Sequence, residues 1–250
     1  MRPIKTFRET KRLFKQPFKV LALWKKFYKK PSIIKLHNGL KFNVRPGIPD
    51  IQMIKEVFQD KQYHEALQAL PKKAIILDLG ANIGTFTTLA AKNQNTKKVY
   101  AYEPFPENTA LLVRNIAMND LNEKVSINAE AVSGKSGTTK FYLNHKGPAT
   151  HSLHNKTGKS ITVPTISLSQ ILKKQKIKKV DLLKLDVEGA EEDILFNTTK
   201  TDLKKIKHIV MEYHPNINLN KLLTFLKKNN FQVSHRASNE PGIGIIDARK

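Results

Sequence analysis

The sequence predicts an α/β fold: a mostly parallel sheet covered by helices on both faces, preceded by a basic helical and hairpin extension. Three observations carry that prediction. The short run 74–77 (AIIL) is continuously apolar, the pattern of a strand buried on both faces. A loop with two glycines, 78–84 (DLGANIG), follows it directly and leads into a helical pattern. Strand and helix patterns then alternate to the C-terminus, which calls for crossover connections between parallel strands.

The elements justify themselves in order. Residues 15–30 place Lys15, Lys19, Lys25, Lys26, Lys29 and Lys30 on one helical face, opposite Val20, Leu21, Leu23, Trp24, Phe27 and Tyr28, with Pro17 in the first turn. Residues 32–36 and 40–44 flank the turn pair Asn38-Gly39 and read as a hairpin. Apolar spacing at Ile51, Ile54, Val57 and Phe58 predicts one or two helices before Pro71. After the strand at 74–77 come a helix at 85–92, a strand at 98–103, a helix at 107–121 and a strand at 125–132. Shorter strands at 138–143 and 161–166 surround a loop of Gly, Pro, His and Ser. The strand 180–187 precedes a helix from 190, a strand at 208–213 and a helix at 219–229. The segments 231–236 and 243–247 close an antiparallel edge. The organisation is therefore a basic amphipathic helix (1–30), a hairpin and helix cap (31–71) and a sheet domain (72–250).

Composition narrows the chemistry. The 250 residues contain no cysteine, which excludes disulfide scaffolds, cysteine-ligated zinc, iron–sulfur clusters and cysteine nucleophiles. The formal charge is +23, yet eleven of the Lys and Arg residues lie in 1–30 against Glu9 alone. The remainder is only moderately basic, so the total charge argues less for nucleic acid than it first suggests. The longest apolar stretch near the N-terminus, 20–24, is too short for a signal peptide or a membrane span. A cytoplasmic location is expected. The lysine-and-aromatic helix has three readings: packing on the rest of the chain, peripheral contact with an anionic membrane through residues 15–30, at the inner face, or contact with RNA or an acidic partner.

The loop 78–84 is the first chemical signal. In parallel sheets ligands bind beyond the carboxyl ends of the strands, where this loop lies. Its spacing is G-x-x-x-G, which fits neither the dinucleotide fingerprint nor the Lys-Ser/Thr phosphate loop. Glu103 ends the next strand 25 residues after Asp78, placed to accept hydrogen bonds from two ribose hydroxyls. An acid at the loop entrance suits a cofactor with a cationic end.

Three stretches, 77–87 (LDLGANIGTFT), 102–115 (YEPFPENTALLVRN) and 181–195 (DLLKLDVEGAEEDIL), resemble the FkbM-type methyltransferases of the class I S-adenosylmethionine-dependent superfamily. Residues 45–63 and 211–215 (MEYHP) add to the likeness, which runs from about 40 to 235 and weakens between 135 and 160. The resemblance implies a Rossmann-like, seven-stranded, mostly parallel sheet, S-adenosyl-L-methionine as methyl donor, and O-methylation, often of sugars or natural products. It implies that Asp78, Gly80, Ala81, Asn82 and Gly84 surround the methionine part of the cofactor, that Glu103 with Pro104 holds the ribose, and that Glu130 and Ala131 flank the adenine.

Methyl transfer to a hydroxyl needs the acceptor oxygen held about 3 Å from the methyl carbon and its proton removed. Asp186 ends an apolar strand at the cofactor edge and is the expected acceptor-orienting group or base, with Glu188 assisting. Glu212 and His214 end the neighbouring strand as further candidates. Glu191 and Glu192 fall in the first turn of a helix, where negative charge is favourable in itself. Asp186, Glu188, Glu212 and His214 have the chemistry to hold a divalent ion, but a mechanism without a metal is expected. His151 and His154 belong to a loop, and the lysines from 173 to 179 to a solvated connector. The expected partner is a small-molecule or glycan acceptor. The alternatives are a ribose methyltransferase acting on RNA, less expected because LDVEG replaces the N/D-P-P-Y/F of base-nitrogen methylation and no matching lysine-acid set is seen, and a non-catalytic binding protein.

Overall fold

In a computed structural model the protein is described at residues 7–47, 49–60, 62–143, 159–238 and 241–250. His151 and His154 lie outside the described residues. The chain opens with helices α1 (Phe7–Leu13) and α2 (Pro17–Trp24), the hairpin β1 (Ser32–Lys35) and β2 (Lys41–Val44), and helices α3 (Asp50–Phe58) and α4 (His64–Gln68). There follow β3 (Ala74–Leu79), α5 (Thr85–Lys92), β4 (Thr96–Tyr102), α6 (Pro106–Ala117), β5 (Val125–Asn128), β6 (Ala131–Val132), β7 (Gly137–Tyr142), β8 (Ser160–Ile166) and α7 (Leu168–Lys174). The C-terminal part comprises β9 (Leu182–Leu185), α8 (Glu191–Phe196), α9 (Lys200–Lys205), β10 (His208–Tyr213), α10 (Leu219–Lys228), β11 (Gln232–Ala237) and β12 (Gly244–Arg249).

Seven strands form the main sheet in the order β11-β12-β10-β9-β3-β4-β5, parallel except where β12 pairs antiparallel with β10 and β11. This is the expected Rossmann-like architecture. Strands β3 and β9 sit side by side at its centre, so their C-terminal ends open onto one shared edge. The two faces are sealed by separate apolar clusters. Leu77, Leu79, Leu183 and Leu185 pack with α7, α8 and α10 on one side, while Ile76, Ala90, Leu112 and Leu182 pack with α4, α5 and α6 on the other.

The strand expected at 125–132 is instead two. β5 ends at Asn128, and β6 turns away to pair parallel with β8 in a second, three-stranded sheet, β6-β8-β7. β5 is an edge strand, so nothing on its outer side holds the chain in the main sheet. Helices α7 and α9 fall where no helix is expected. Each is short, and each is capped by a hydroxyl: Ser167 Oγ accepts from Gln170 N and Thr199 Oγ1 from Asp202 N.

The N-terminal extension is built into the body. Phe14, Val20, Leu23, Ile34, Phe42, Val44, Ile51 and Ile54 form one buried cluster with Ile83 and Leu111. Two asparagines of the α6 region fasten the hairpin: Asn115 Oδ1 accepts from Asn43 N at 2.7 Å and Asn119 Oδ1 from Lys41 N at 2.9 Å. Arg45 and Asp50, both buried, form a two-point pair at 2.9 and 3.1 Å that fixes the start of α3. The long helix expected over 15–30 is shorter. α2 ends at Trp24, and Lys26 adopts a left-handed φ of 62° that no continuing helix allows. Val20 and Leu23 are buried against the hairpin, while Phe27 and Tyr28 lie beyond the helix and are exposed. No helix among the described residues is long and apolar enough to cross a membrane.

Candidate active site

The C-terminal ends of β3, β4 and β9 border an open cavity of about 590 Å³ lined by Met53, Gly80, Asn82, Tyr102, Glu103, Pro104, Asn108, Ala131, Val132, Phe141, Asp186, Val187 and Glu188. Its floor is the glycine loop. Gly80 N and Ala81 N both donate to Tyr102 O, at 3.0 and 2.9 Å, pinning the loop to the end of β4. Gly80 has φ +83°, and a Cβ there would strike the Asp186 carbonyl, so only glycine lets the ends of β3 and β9 approach this closely. Gly84, φ +87°, begins α5 with no room for a Cβ beside Leu112. Asn82 also has positive φ, 50°, and its side-chain Oδ1 accepts from Ile83 N.

Beneath the loop lies a buried charge pair. Asp78 is fully buried, accepts a hydrogen bond from Thr87 Oγ1, and has Lys184 Nζ 3.2 Å from its Oδ1. The same ammonium donates to Gly80 O at 2.7 Å and stands 3.4 Å from Asp186 Oδ2. Burial alone would depress Lys184, but Asp78 and Asp186 outweigh it and hold the lysine above its usual range. Lys184 thus ties the first loop to the end of β9. It escaped the motif analysis, although its place two residues before Asp186 puts both on one face of the strand.

Glu103 forms one wall. It is buried, Oε2 accepts from Asn82 N at 2.8 Å, and Oε1 accepts from Phe105 N at 3.0 Å and Asn108 Nδ2 at 3.3 Å. Burial pushes its carboxyl up to about 7 in spite of those donors. The geometry leaves a carboxylate with acceptor capacity to spare on a cavity that Tyr102, Ala131, Val132 and Phe141 also line with apolar surface. That combination fits the ribose and base of a nucleoside cofactor. Phe141 and Val132 come from the second sheet, which the sequence did not separate from the first.

The expected cofactor residues fall into three groups. Gly80, Asn82, Glu103, Pro104 and Ala131 line the cavity. Asp78, Ala81 and Gly84 support the loop from behind without being among its lining residues. Glu130 is turned to Lys174, whose Nζ lies 3.0 Å from its Oε2, and is not among the lining residues.

The same cavity holds a second acidic group. Asp186 and Glu188 line the cavity, and Glu212 and His214 adjoin them from β10 and the residue just beyond it. His214 Nδ1 is bonded to Glu191 Oε1 at 3.0 Å, leaving Nε2 3.5 Å from Glu188 and 3.9 Å from Glu212. Glu191 is fully buried and also accepts from Val187 N and Gly189 N. It therefore positions both the imidazole and the turn that carries Glu188, a larger part than helix-terminus charge. Burial pushes His214 down, but the bond to Glu191 and the surrounding carboxylates carry it up to about 10. Burial, with Asp186 and Glu212 nearby, raises Glu188 to about 8 against the pull of His214. Burial and Asp186 raise Glu212 to about 8 as well. Glu188 holds this place with φ +56°, a conformation uncommon for a side chain of its kind. Asp186, Glu188 and His214 present ligand atoms within 4.8 Å of one another, a donor set chemically suited to a divalent cation.

On the side of Glu212 the cavity is continued by a smaller one that shares Gly80 and Asp186 with it, and then by an open groove of about 1370 Å³. Glu56, Gln62 and Glu212 border both of these, and the groove adds Lys55, Gln59, Asp60, Arg236 and Ser238.

Comparison with known proteins agrees with this geometry. The family model described as "Methyltransferase FkbM domain" matches residues 78–233. Methyltransferase sdnD of Sordaria araneosa is 30% identical over 189 residues, covering 63% of this chain and 72% of that protein. The 31-O-demethyl-FK506 methyltransferase FkbM of Streptomyces tacrolimicus is 24% identical over 65% of this chain and 74% of its own. The hexuronic acid methyltransferase AglP of Haloferax volcanii is 25% identical over 67% and 70%.

Proposed function

The chain belongs to the FkbM methyltransferase family, and from that premise we propose that it O-methylates a hydroxyl group of a saccharide, glycolipid or related small molecule. S-adenosylmethionine is the methyl donor, and when bound it supplies a sulfonium methyl open to attack by an oxygen nucleophile. Glu103 would hold the ribose hydroxyls, Gly80 and Asn82 would border the methionine part, and Tyr102, Ala131 and Phe141 would cover the base.

One observation carries the acceptor reading: a single cavity is lined both by the buried Glu103 and by the carboxylates of Asp186 and Glu188. In this mechanism Asp186, braced by Lys184, accepts a hydrogen bond from the acceptor hydroxyl and fixes its direction. Glu188 takes the proton. A group near 8 is better matched to that task at neutral pH than an ordinary carboxylate, provided it is ionised when the acceptor arrives. Its neighbour His214, anchored by Glu191, holds the cluster in place and balances its charge.

The polar groove leading from Glu212 supports a hydroxyl-rich acceptor, because its charged and amide side chains offer hydrogen bonds along the approach. The names of two relatives, one acting on a 31-O position and one on a hexuronic acid, support the same class. The test is calorimetric binding of S-adenosylmethionine, followed by a methyl-transfer screen over glycans, glycolipids and macrocyclic alcohols. Micromolar binding lost in Glu103→Ala and transfer to a hydroxyl oxygen support the proposal. Transfer confined to nitrogen, carbon or RNA acceptors overturns it.

A further inference from the structure

We propose that the N-terminal layer is a docking face for an anionic lipid bilayer, and that its contact is made by residues other than those that make the helix amphipathic. Among the described residues six large hydrophobic side chains are exposed, and five of them lie between positions 7 and 33: Phe7 at 40%, Phe18 at 75%, Phe27 at 77%, Tyr28 at 42% and Ile33 at 44%. The inward apolar side of α2 is already satisfied, since Val20 and Leu23 are buried with Phe14, Ile34 and Phe42. This second apolar set is additional to the core.

The set is held together. The rings of Phe7 and Phe18 lie 4.7 Å apart, joining α1 to α2. Ala22 is one turn beyond Phe18 on the same side of the helix, and Phe27 follows the helix end, its N donating to Ala22 O at 2.9 Å. Next to Phe18, Lys19 Nζ donates to Ile33 O at 2.9 Å, which ties α2 to the strand that carries the exposed isoleucine. Exposed cations surround the group, among them Arg8, Lys11, Lys15, Lys25 and Lys29, with Glu9 the one acid in 1–30.

Charge complementarity identifies the occupant. Basic side chains around a convex aromatic patch match a surface of anionic headgroups, where aromatics settle at headgroup depth and each lysine or arginine adds roughly 1 kcal/mol. A single-stranded nucleic acid would need open ring faces to stack on. Phe7 and Phe18 are instead packed on each other and Ile33 has no ring, which leaves Phe27 and Tyr28 as the exposed rings. The bilayer is the better fit.

The test uses the full chain, because truncation before residue 32 would remove Phe14, Val20 and Leu23 from a shared core and confound docking with unfolding. Trp24, the single tryptophan, lies partly buried against the N-terminal core at the end of α2 and provides a fluorescence probe. Binding is measured to vesicles of phosphatidylcholine alone and to vesicles with about 30% phosphatidylglycerol. The expected result is binding to the anionic vesicles only, with a blue shift of Trp24 emission. Phe18→Ser/Phe27→Ser is expected to weaken it by roughly tenfold or more while leaving the thermal unfolding curve and S-adenosylmethionine affinity unchanged. Absence of binding to anionic vesicles, equal binding to neutral ones, or full binding by the double serine variant overturns the proposal. So does tighter, phenylalanine-dependent binding to single-stranded RNA. Because cofactor affinity is read separately, failure here leaves the methyltransferase assignment standing.

Discussion

Lys184 Nζ lies 3.2 Å from Asp78 Oδ1, and both side chains are almost completely shielded from water. Removing one member leaves the other as an uncompensated buried charge. Lys184→Met is expected to lower stability by about 3–5 kcal/mol in urea unfolding, with Asp78→Asn restoring part of the loss when the two are combined. Additive losses in the double variant would show that the pair is not coupled.

The two carboxylates at the end of β9 are expected to separate kinetically from cofactor binding. Asp186→Asn should reduce turnover by roughly 10²–10⁴ while S-adenosylmethionine affinity stays within a few-fold of wild type. Unchanged turnover would remove Asp186 from the mechanism.

Glu188 gives the reaction its pH profile. The base works only when deprotonated, and burial has raised Glu188 to about 8. Turnover is therefore expected to climb roughly tenfold per pH unit below that value and level off above it. Glu188→Gln should lose this limb and retain only a slow, pH-independent rate. A wild-type profile already flat from pH 6 to 9 would contradict the assignment.

Stability should run the other way. His214 rises to about 10 in the folded state, so its contribution is complete below its unfolded value near 6.5 and is lost as pH climbs through 10. Glu188 and Glu212, raised to about 8, bind protons more tightly folded than unfolded, which costs stability as pH climbs from about 4.5 through 8. All three terms have the same sign. The melting temperature is expected to fall between pH 6 and 9, and less steeply in Glu212→Gln; a melting temperature that rises over this range refutes the cluster's protonation pattern.

Methyl transfer is expected to survive EDTA, since Lys184 and His214 already supply cations to Asp186, Glu188 and Glu212. Loss of activity with EDTA, restored by magnesium or manganese, would instead assign the Asp186, Glu188 and His214 donors to a metal.

The sheet and its loop were legible in the sequence because their signals are local. AIIL is continuously apolar, the DLGANIG glycines sit where positive φ is needed, and Glu103 closes the following strand. Lys184 was not legible as a site residue, because a lysine inside a strand gives no local sign that two acids, one of them 106 positions earlier, converge on it. Glu191 was ambiguous for a related reason. A first-turn acid stabilises any helix, and only the tertiary placement of His214 reveals its second task. The break between β5 and β6 was hidden because no Gly or Pro separates the two short strand patterns, while the pairing partner changes from β4 to β8.

The core that joins the N-terminal layer to Ile83 and Leu111 also constrains how the protein is made. During synthesis Phe14, Val20 and Leu23 leave the ribosome long before those two partners exist. The layer can gather around its own hairpin early, but its interior stays open until α6 has emerged. For that interval the nascent chain presents an aromatic, lysine-rich segment to whatever binds such surfaces, chaperones included. Variants that slow translation between codons 45 and 111 should therefore prolong chaperone association, even though they alter no residue of the finished protein.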